Sequence, residues 1–263
     1  MGRLDVLSNR IRGWARPLGN APGKEFTHME NQHLTRRSFI RGAGVAAAMG
    51  MGTIVSSRIY AQDDGTAKRK IVAVNCSPRR GQTTFRSLQE CLAGAAAVSD
   101  RIETTLVELG GLAINGNLAA GIPLAEGEKD DFPSVAGVLS APDVIGIVIG
   151  SPVYFGNMSS LCKAFLDRWM YFRQEGFVLS NKVAGVVAVG GSRNGGQETT
   201  ISAVQSILMT QELVIVGDGR PRAHGGGTVW SGIEGGVEAD EYGLASAKNL
   251  GRRIAEVGLM MHG

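Results

Sequence analysis

From Lys70 onward, short runs of β-branched residues alternate with longer segments whose apolar positions recur every three or four residues. This change of period predicts an α/β chain with a parallel sheet. The strands fall at 71–75, 104–109, 144–150, 183–189 and 213–216, and the helices at 83–98, 132–140, 159–172, 198–210 and 241–258. The runs at 144 and 183 are almost continuously apolar, as expected of strands covered by helices on both faces. Ligands of such sheets gather beyond the carboxyl ends of the strands, where the strand order reverses. The loops after the first, third and fourth strands are therefore where chemistry is expected. Two irregular insertions remain, 110–131 and the glycine-rich 224–236, and loops of that length are usually functional.

Composition narrows the class. The 263 residues are 43% hydrophobic and 19% charged, enough for one sizeable core and unlike a disordered or fibrous chain. Three cysteines, at 76, 91 and 162, make neither a metal-finger spacing nor a disulfide framework, and each reads as a small buried hydrophobe, with a reactive thiol as the alternative for Cys76 beside a candidate site. The net charge of +3 suggests an acidic partner until its location is read. Nine of the 27 Lys/Arg but only three of the 24 Asp/Glu lie in residues 1–61, so the remainder is acidic and lacks the basic stripe of a nucleic-acid binder.

Those first 61 residues read as an address. Thr35-Arg36-Arg37-Ser38-Phe39-Ile40-Arg41 is followed by the uncharged stretch 42–57 and by Ile59-Tyr60-Ala61, which resembles a twin-arginine export signal with its cleavage site. The apolar run is shorter than the ~20 residues needed to cross a bilayer, so no stable membrane span is expected after cleavage. The expected partner is the twin-arginine export machinery and the expected location the periplasm or another extracytoplasmic space. Met29 is a candidate true start. The body, 62–263, is expected to form one domain.

After the first strand, Ser77-Pro78-Arg79-Arg80-Gly81-Gln82-Thr83-Thr84 leads into a helix. Hydroxyls and backbone N–H groups at a helix N-terminus make an anion site. The dinucleotide and triphosphate-loop glycine patterns are absent there, which suits a single phosphate held by hydrogen bonds. The competing reading is an ordinary turn capped by Thr83 or Thr84. After the third strand comes Ser151-Pro152-Val153-Tyr154-Phe155-Gly156-Asn157-Met158-Ser159, a turn with flat apolar surface and an amide at its tip. After the fourth comes Gly190-Gly191-Ser192-Arg193-Asn194-Gly195-Gly196-Gln197-Glu198, whose glycines permit close backbone approach to a ring. Arg193 reads as a surface residue with a substrate-contacting role as the alternative. Lys163, Asp167 and Arg168 read as a solvated or subunit-facing ion-pair surface.

Taken in order, these motifs resemble the NAD(P)H-dependent FMN reductase and iron-sulfur flavoprotein branch of the flavodoxin-like superfamily. The resemblance spans about residues 69–258. It implies a three-layer sandwich around a five-stranded parallel sheet of order 2-1-3-4-5. It also implies FMN as cofactor, with NAD(P)H as a candidate donor and a quinone or other small molecule as electron acceptor. The cofactor-binding residues it designates are Ser77, Arg79, Gln82, Thr83 and Thr84, then Pro152, Val153, Tyr154, Phe155, Gly156 and Asn157, then Gly190, Gly191, Gly195 and Gly196. No side chain is designated as a catalytic acid or base. The chain departs from the iron-sulfur branch in having no cysteine between 110 and 131, so no cluster is expected. A homodimer or homotetramer is expected, from the resemblance and from the apolar surface that Trp169, Tyr171, Phe172 and Trp230 offer; a buried core position is the alternative for each of these aromatics and the favoured one for Trp169. The alternative function is a non-enzymatic electron carrier or binding module on the same fold.

Overall fold

A computed structural model describes residues 66–263; the export-signal reading, the Met29 start and the cleavage site lie outside the described residues. The elements follow in the order β1 (Arg69–Asn75), α1 (Thr83–Ala96), β2 (Ile102–Glu108), α2 (Phe132–Ser140), β3 (Val144–Pro152), α3 (Ser160–Asp167), α4 (Met170–Gln174), β4 (Val183–Gly190), α5 (Gln197–Met209), β5 (Val214–Ile215), β6 (Gly227–Trp230) and α6 (Glu241–His262). The sheet is parallel with order β2-β1-β3-β4-β5, and β6 also pairs with β4. The predicted flavodoxin-like order is therefore present, with six strands rather than five.

The extra strand corrects the sequence reading. The fifth position at the edge of the sheet is split: β5 pairs with Val183 and Ala184 at the start of β4, and β6 pairs with Val187–Gly190 at its end. Between them the chain leaves the sheet and returns at Gly226, where a Cβ would sit 2.5 Å from the Val186 carbonyl oxygen. Part of the glycine-rich 224–236 insertion is thus strand, and its glycines mark close approach to β4. The predicted helix 159–172 is likewise two helices, α3 and α4, broken around Arg168 and Trp169. The insertion 110–131 contains a short 3₁₀ turn, Gly116–Ala120.

Every residue of β3 and β4 is buried, because helices cover both faces. One face packs on α2, α3, α4 and α5 through Phe132, Phe165, Trp169, Phe172, Val204 and Leu208. The other packs on α1 and α6 through Leu88, Cys91, Leu250 and Ile254. Glycines in the strands admit those side chains: Cβ atoms at Gly146, Gly150 and Gly185 would lie 2.6, 2.6 and 2.8 Å from Ile254, Leu88 and Leu250. Trp169 is fully buried within this chain, in line with the core position favoured for it; Phe172, offered as surface for a subunit contact, is fully buried as well, and Tyr171 is the exposed member of the group. Among the described residues no helix is long and apolar enough to cross a membrane.

Candidate active site

Three loops meet beyond the carboxyl ends of β1, β3 and β4. The first is built by Asn75 and Glu108. Asn75, fully buried, accepts the Ser77 N–H at 3.1 Å and donates its amide to Glu108 Oε2 at 3.1 Å. The same Glu108 oxygen accepts the Gly81 N–H at 2.9 Å, where φ of +65° suits glycine. The Ser77 hydroxyl accepts the Arg79 N–H at 3.2 Å and so closes the turn locally. Helix α1 begins at Thr83; its N-cap is Gln82, which makes no side-chain capping bond. The capping reading of Thr83 or Thr84 is therefore corrected: both lie inside the first turn, Thr84 buried and Thr83 half-buried. First-turn N–H groups have no intrahelical acceptor, so this end is equipped for an anion. Arg79 and Gln82 are exposed at its rim.

The second loop is a tight two-residue turn. Tyr154 and Asn157 exchange N–H···O=C bonds of 2.8 and 3.1 Å, with Phe155 at φ +52° and Gly156 at φ +74°. Positive φ at both central positions defines a type I′ turn. Phe155 pays a left-handed backbone conformation unusual for an aromatic residue, and its side chain projects wholly into solvent. Asn157 turns its Oδ1 to the Met158 N–H at 2.8 Å. Behind the turn, buried Ser159 donates to the Cys76 carbonyl at 2.7 Å and caps α3 by accepting the Cys162 N–H at 3.0 Å. Ser151 accepts the Ser159 N–H at 3.0 Å. Val153 donates its N–H to Val189 at 2.9 Å, fixing the loop to β4.

The third loop is organised by Gln197, which sequence reasoning placed only at a helix start. It is buried; its Oε1 accepts the Gly195 N–H at 2.8 Å and its Nε2 donates to the Ser192 carbonyl at 2.7 Å. Gly190 lies against this amide, a Cβ there falling 2.6 Å from Nε2. Gly196 has φ +104°, and a Cβ on it would lie 2.7 Å from the Gly156 Cα. The second and third loops thus touch backbone to backbone, and Thr199 Oγ1 lies 2.8 Å from the Gly156 carbonyl. Gly191 is held from behind by the Trp230 indole N–H, 3.1 Å from its carbonyl.

Several charged groups sit otherwise than the sequence suggested. Arg168 is no solvated partner: it forms a two-pronged pair with Asp130 at 2.9 Å per bond, its guanidinium 4.5 Å from the Phe132 ring centre. The hydrogen bonds from Arg168 hold the Asp130 carboxyl below the usual carboxylate range despite its burial. Lys163 and Asp167 pair with each other on the surface of α3, as expected. Arg193 is tied to buried Asp240 at 2.6 Å and lies 5.1 Å from the Trp230 ring centre, so it is a fixed group rather than a free surface arginine. All three cysteines are buried. Burial pushes the Cys76 thiol well above its ordinary range and the Cys91 thiol up to about 12, which removes Cys76 as a reactive thiolate.

A doubly wound parallel sheet with these three strand-end loops defines a flavodoxin-like α/β protein. Comparison with known proteins agrees. Residues 69–225 match the NADPH-dependent FMN reductase family. An iron-sulfur flavoprotein of Methanocaldococcus jannaschii is 38% identical over 191 residues, covering 72% of this chain and 96% of its own. One of Methanosarcina thermophila is 31% identical over 191 residues, covering 72% and 94%. Among solved structures, an apo NADH:FMN oxidoreductase aligns with TM-score 0.54 at 20% identity, covering 74% of this chain and 91% of that one. The chain belongs to the NADPH-dependent FMN reductase family and is a flavin-dependent oxidoreductase.

Proposed function

We propose that this chain is an exported FMN-dependent oxidoreductase that passes hydride or electrons to a quinone or another small acceptor. The observation that carries the reading is the N-terminus of α1, which has no side-chain cap and presents Thr83 and Thr84 in its first turn beside Ser77 of the preceding loop. Those hydroxyls and the first-turn N–H groups would hold one phosphate, which favours FMN over a dinucleotide. The turn 153–157 and Gly190, Gly191, Gly195 and Gly196 would line the ring with backbone polar groups and the apolar surface of Tyr154. Bound FMN would supply the redox chemistry, and the protein binding, orientation and electrostatics. Arg79 and Gln82 would contribute at the phosphate rim.

No iron-sulfur cluster belongs to this reading. Among the described residues no group of three or more His, Cys, Asp or Glu could hold a metal, and the buried cysteines serve packing. The twin-arginine pattern at Arg36-Arg37 supports export of the folded, flavin-loaded protein through the twin-arginine machinery. Beyond the cytoplasm NAD(P)H is scarce, so the working partner there is a quinone-type molecule, a small redox compound or a protein, and NAD(P)H serves as a donor in vitro. Assembly as a homodimer or homotetramer is part of the reading, supported by the fully exposed Phe155 next to Tyr154.

The test is direct. The purified protein should carry FMN and no FAD, its bound flavin should be reduced only slowly by physiological NADPH, and the reduced flavin should be reoxidised rapidly by a quinone. A fused reporter that matures only after twin-arginine transport should report export. A colourless protein that does not take up FMN would refute the cofactor assignment, and cytoplasmic retention with fast, saturable NADPH reduction would refute the compartment.

A further inference from the structure

The interruption of the fifth strand builds something that the flavin reading does not use. The excursion between β5 and β6 carries Asp218 and His224, and the first turn of α6 carries Tyr242. Asp218 is fully buried; its Oδ1 accepts the His224 backbone N–H at 2.5 Å and its Oδ2 faces His224 Nδ1 at 3.2 Å. A carboxylate can only accept, so in the neutral imidazole it places the ring hydrogen on Nδ1 and leaves Nε2 as an acceptor. Nε2 lies 3.3 Å from the Tyr242 hydroxyl, and with that tautomer the hydroxyl donates to it. The outer lone pairs of the tyrosine oxygen then remain to accept a hydrogen from a ligand.

His224 and Tyr242, with Asp218 buried behind them, border a cavity of about 170 Å³ whose walls also include Arg193, Asn194, Thr228 and Trp230. An apolar cavity of about 150 Å³ accommodates benzene, so the space suits a single six-membered ring. Its surroundings favour an aromatic one. Trp230 and Tyr242 are in its wall with the Arg193 guanidinium 5.1 and 5.9 Å from their ring centres, and Tyr242 is held by Arg222, whose guanidinium lies 3.7 Å from its ring centre and donates to its carbonyl at 2.5 Å. The charges nearly cancel: Arg193 and Arg222 are set against Asp218, Asp240 and Glu198. A neutral ring with hydroxyl groups fits that balance better than an anion does.

We infer that this cavity is a recognition site for a hydroxylated single-ring aromatic molecule, a phenol or hydroquinone, whose O–H donates to Tyr242 at the head of the Tyr242–His224–Asp218 chain. Consecutive hydrogen bonds polarise one another, which makes the tyrosine oxygen a better acceptor than an isolated phenol. The loop 190–196 forms a wall of this cavity through Arg193 and Asn194 while its glycines belong to the candidate flavin site. A molecule bound here lies next to the flavin loop, which suits a redox partner of the flavin. In that respect the inference deepens the proposed function, although binding itself does not require FMN.

The experiment titrates the purified protein by calorimetry with resorcinol, a dihydroxybenzene that does not readily reduce flavin, and with its dimethyl ether, flavin content being measured in parallel. Saturable binding of one resorcinol per chain is expected, with the ether weaker by about fivefold to tenfold because a net hydrogen bond is lost. Tyr242→Phe keeps the ring and should bring resorcinol down to the level of the ether. His224→Gln should weaken resorcinol while leaving the ether unchanged. Absence of saturable binding at millimolar concentration, equal affinity for the two probes, or an unchanged Tyr242→Phe variant would overturn the site. A protein that takes up no FMN yet still discriminates the probes would leave this site standing and refute the flavin reading instead.

Discussion

The Ser159 hydroxyl donates to the Cys76 carbonyl at 2.7 Å, joining two loops that are 83 positions apart in the chain. The same oxygen accepts the Cys162 N–H and so starts α3. One buried side chain therefore sets the distance between the candidate phosphate loop and the Tyr154–Asn157 turn. Ser159→Ala should lower stability by about 1–3 kcal/mol, the cost of leaving a buried carbonyl unsatisfied. Chemical denaturation measures that loss, and faster FMN release on dilution would report the loosened spacing.

Replacing both Ser77 and Thr84 by Ala should weaken FMN retention, since a hydrogen bond to a charged group is worth about 1.5–3 kcal/mol. Equilibrium dialysis of the apoprotein with FMN and with riboflavin separates phosphate from ring contributions. The double variant should lose affinity for FMN and keep that for riboflavin; equal retention of FMN would remove the phosphate assignment.

Gly196→Ala places a Cβ 2.7 Å from the Gly156 Cα on a backbone with φ +104°. Either the second or the third loop must move, with a strain of roughly 1–3 kcal/mol. Flavin content should fall and the melting temperature should drop. Gly191→Ala meets nothing within 4 Å and serves as the comparison that leaves stability nearly unchanged.

The Asp130–Arg168 pair gives a pH dependence of definite sign. Its hydrogen bonds lower the Asp130 pKa in the folded state, so the folded state binds the proton less readily than the unfolded chain. The stabilisation is complete above the unfolded carboxyl pKa of about 3.9 and is lost as pH falls through the lower folded value. Asp130→Asn should cost roughly 2 kcal/mol at neutral pH, as for a hydrogen bond to a charged group. It should also flatten the acid limb of the stability curve measured by urea denaturation between pH 2 and 7.

Iron and acid-labile sulfide should be absent from the anaerobically purified protein, because the 110–131 segment supplies no thiolate and the three cysteines are buried apart from it. Stoichiometric iron would overturn this expectation and would require ligands from elsewhere in the chain.

The sheet was legible because apolar runs such as 144–150 and 183–189 and the helical periodicity between them depend on local pattern alone. The three loop motifs were legible because glycine, proline and serine at strand ends carry their conformations with them. The break between α3 and α4 escaped the pattern: helical spacing continues through Arg168 and Trp169, while a bidentate bond to Asp130 and burial of the indole decide where the chain turns.

By itself, then, the sequence determined the class of fold, and it pointed to a candidate site at the carboxyl ends of β1, β3 and β4 with the kind of residues offered there. Only the tertiary structure decided what holds those residues in place. Glu108 reaches Gly81 from another strand, Gln197 folds back on its own loop, and Asp218, His224 and Tyr242 meet because β5 and β6 share one edge of β4. The physical reason is that periodicity and turn chemistry are local, whereas hydrogen bonds between residues far apart in the chain exist only once the sheet has set their spacing.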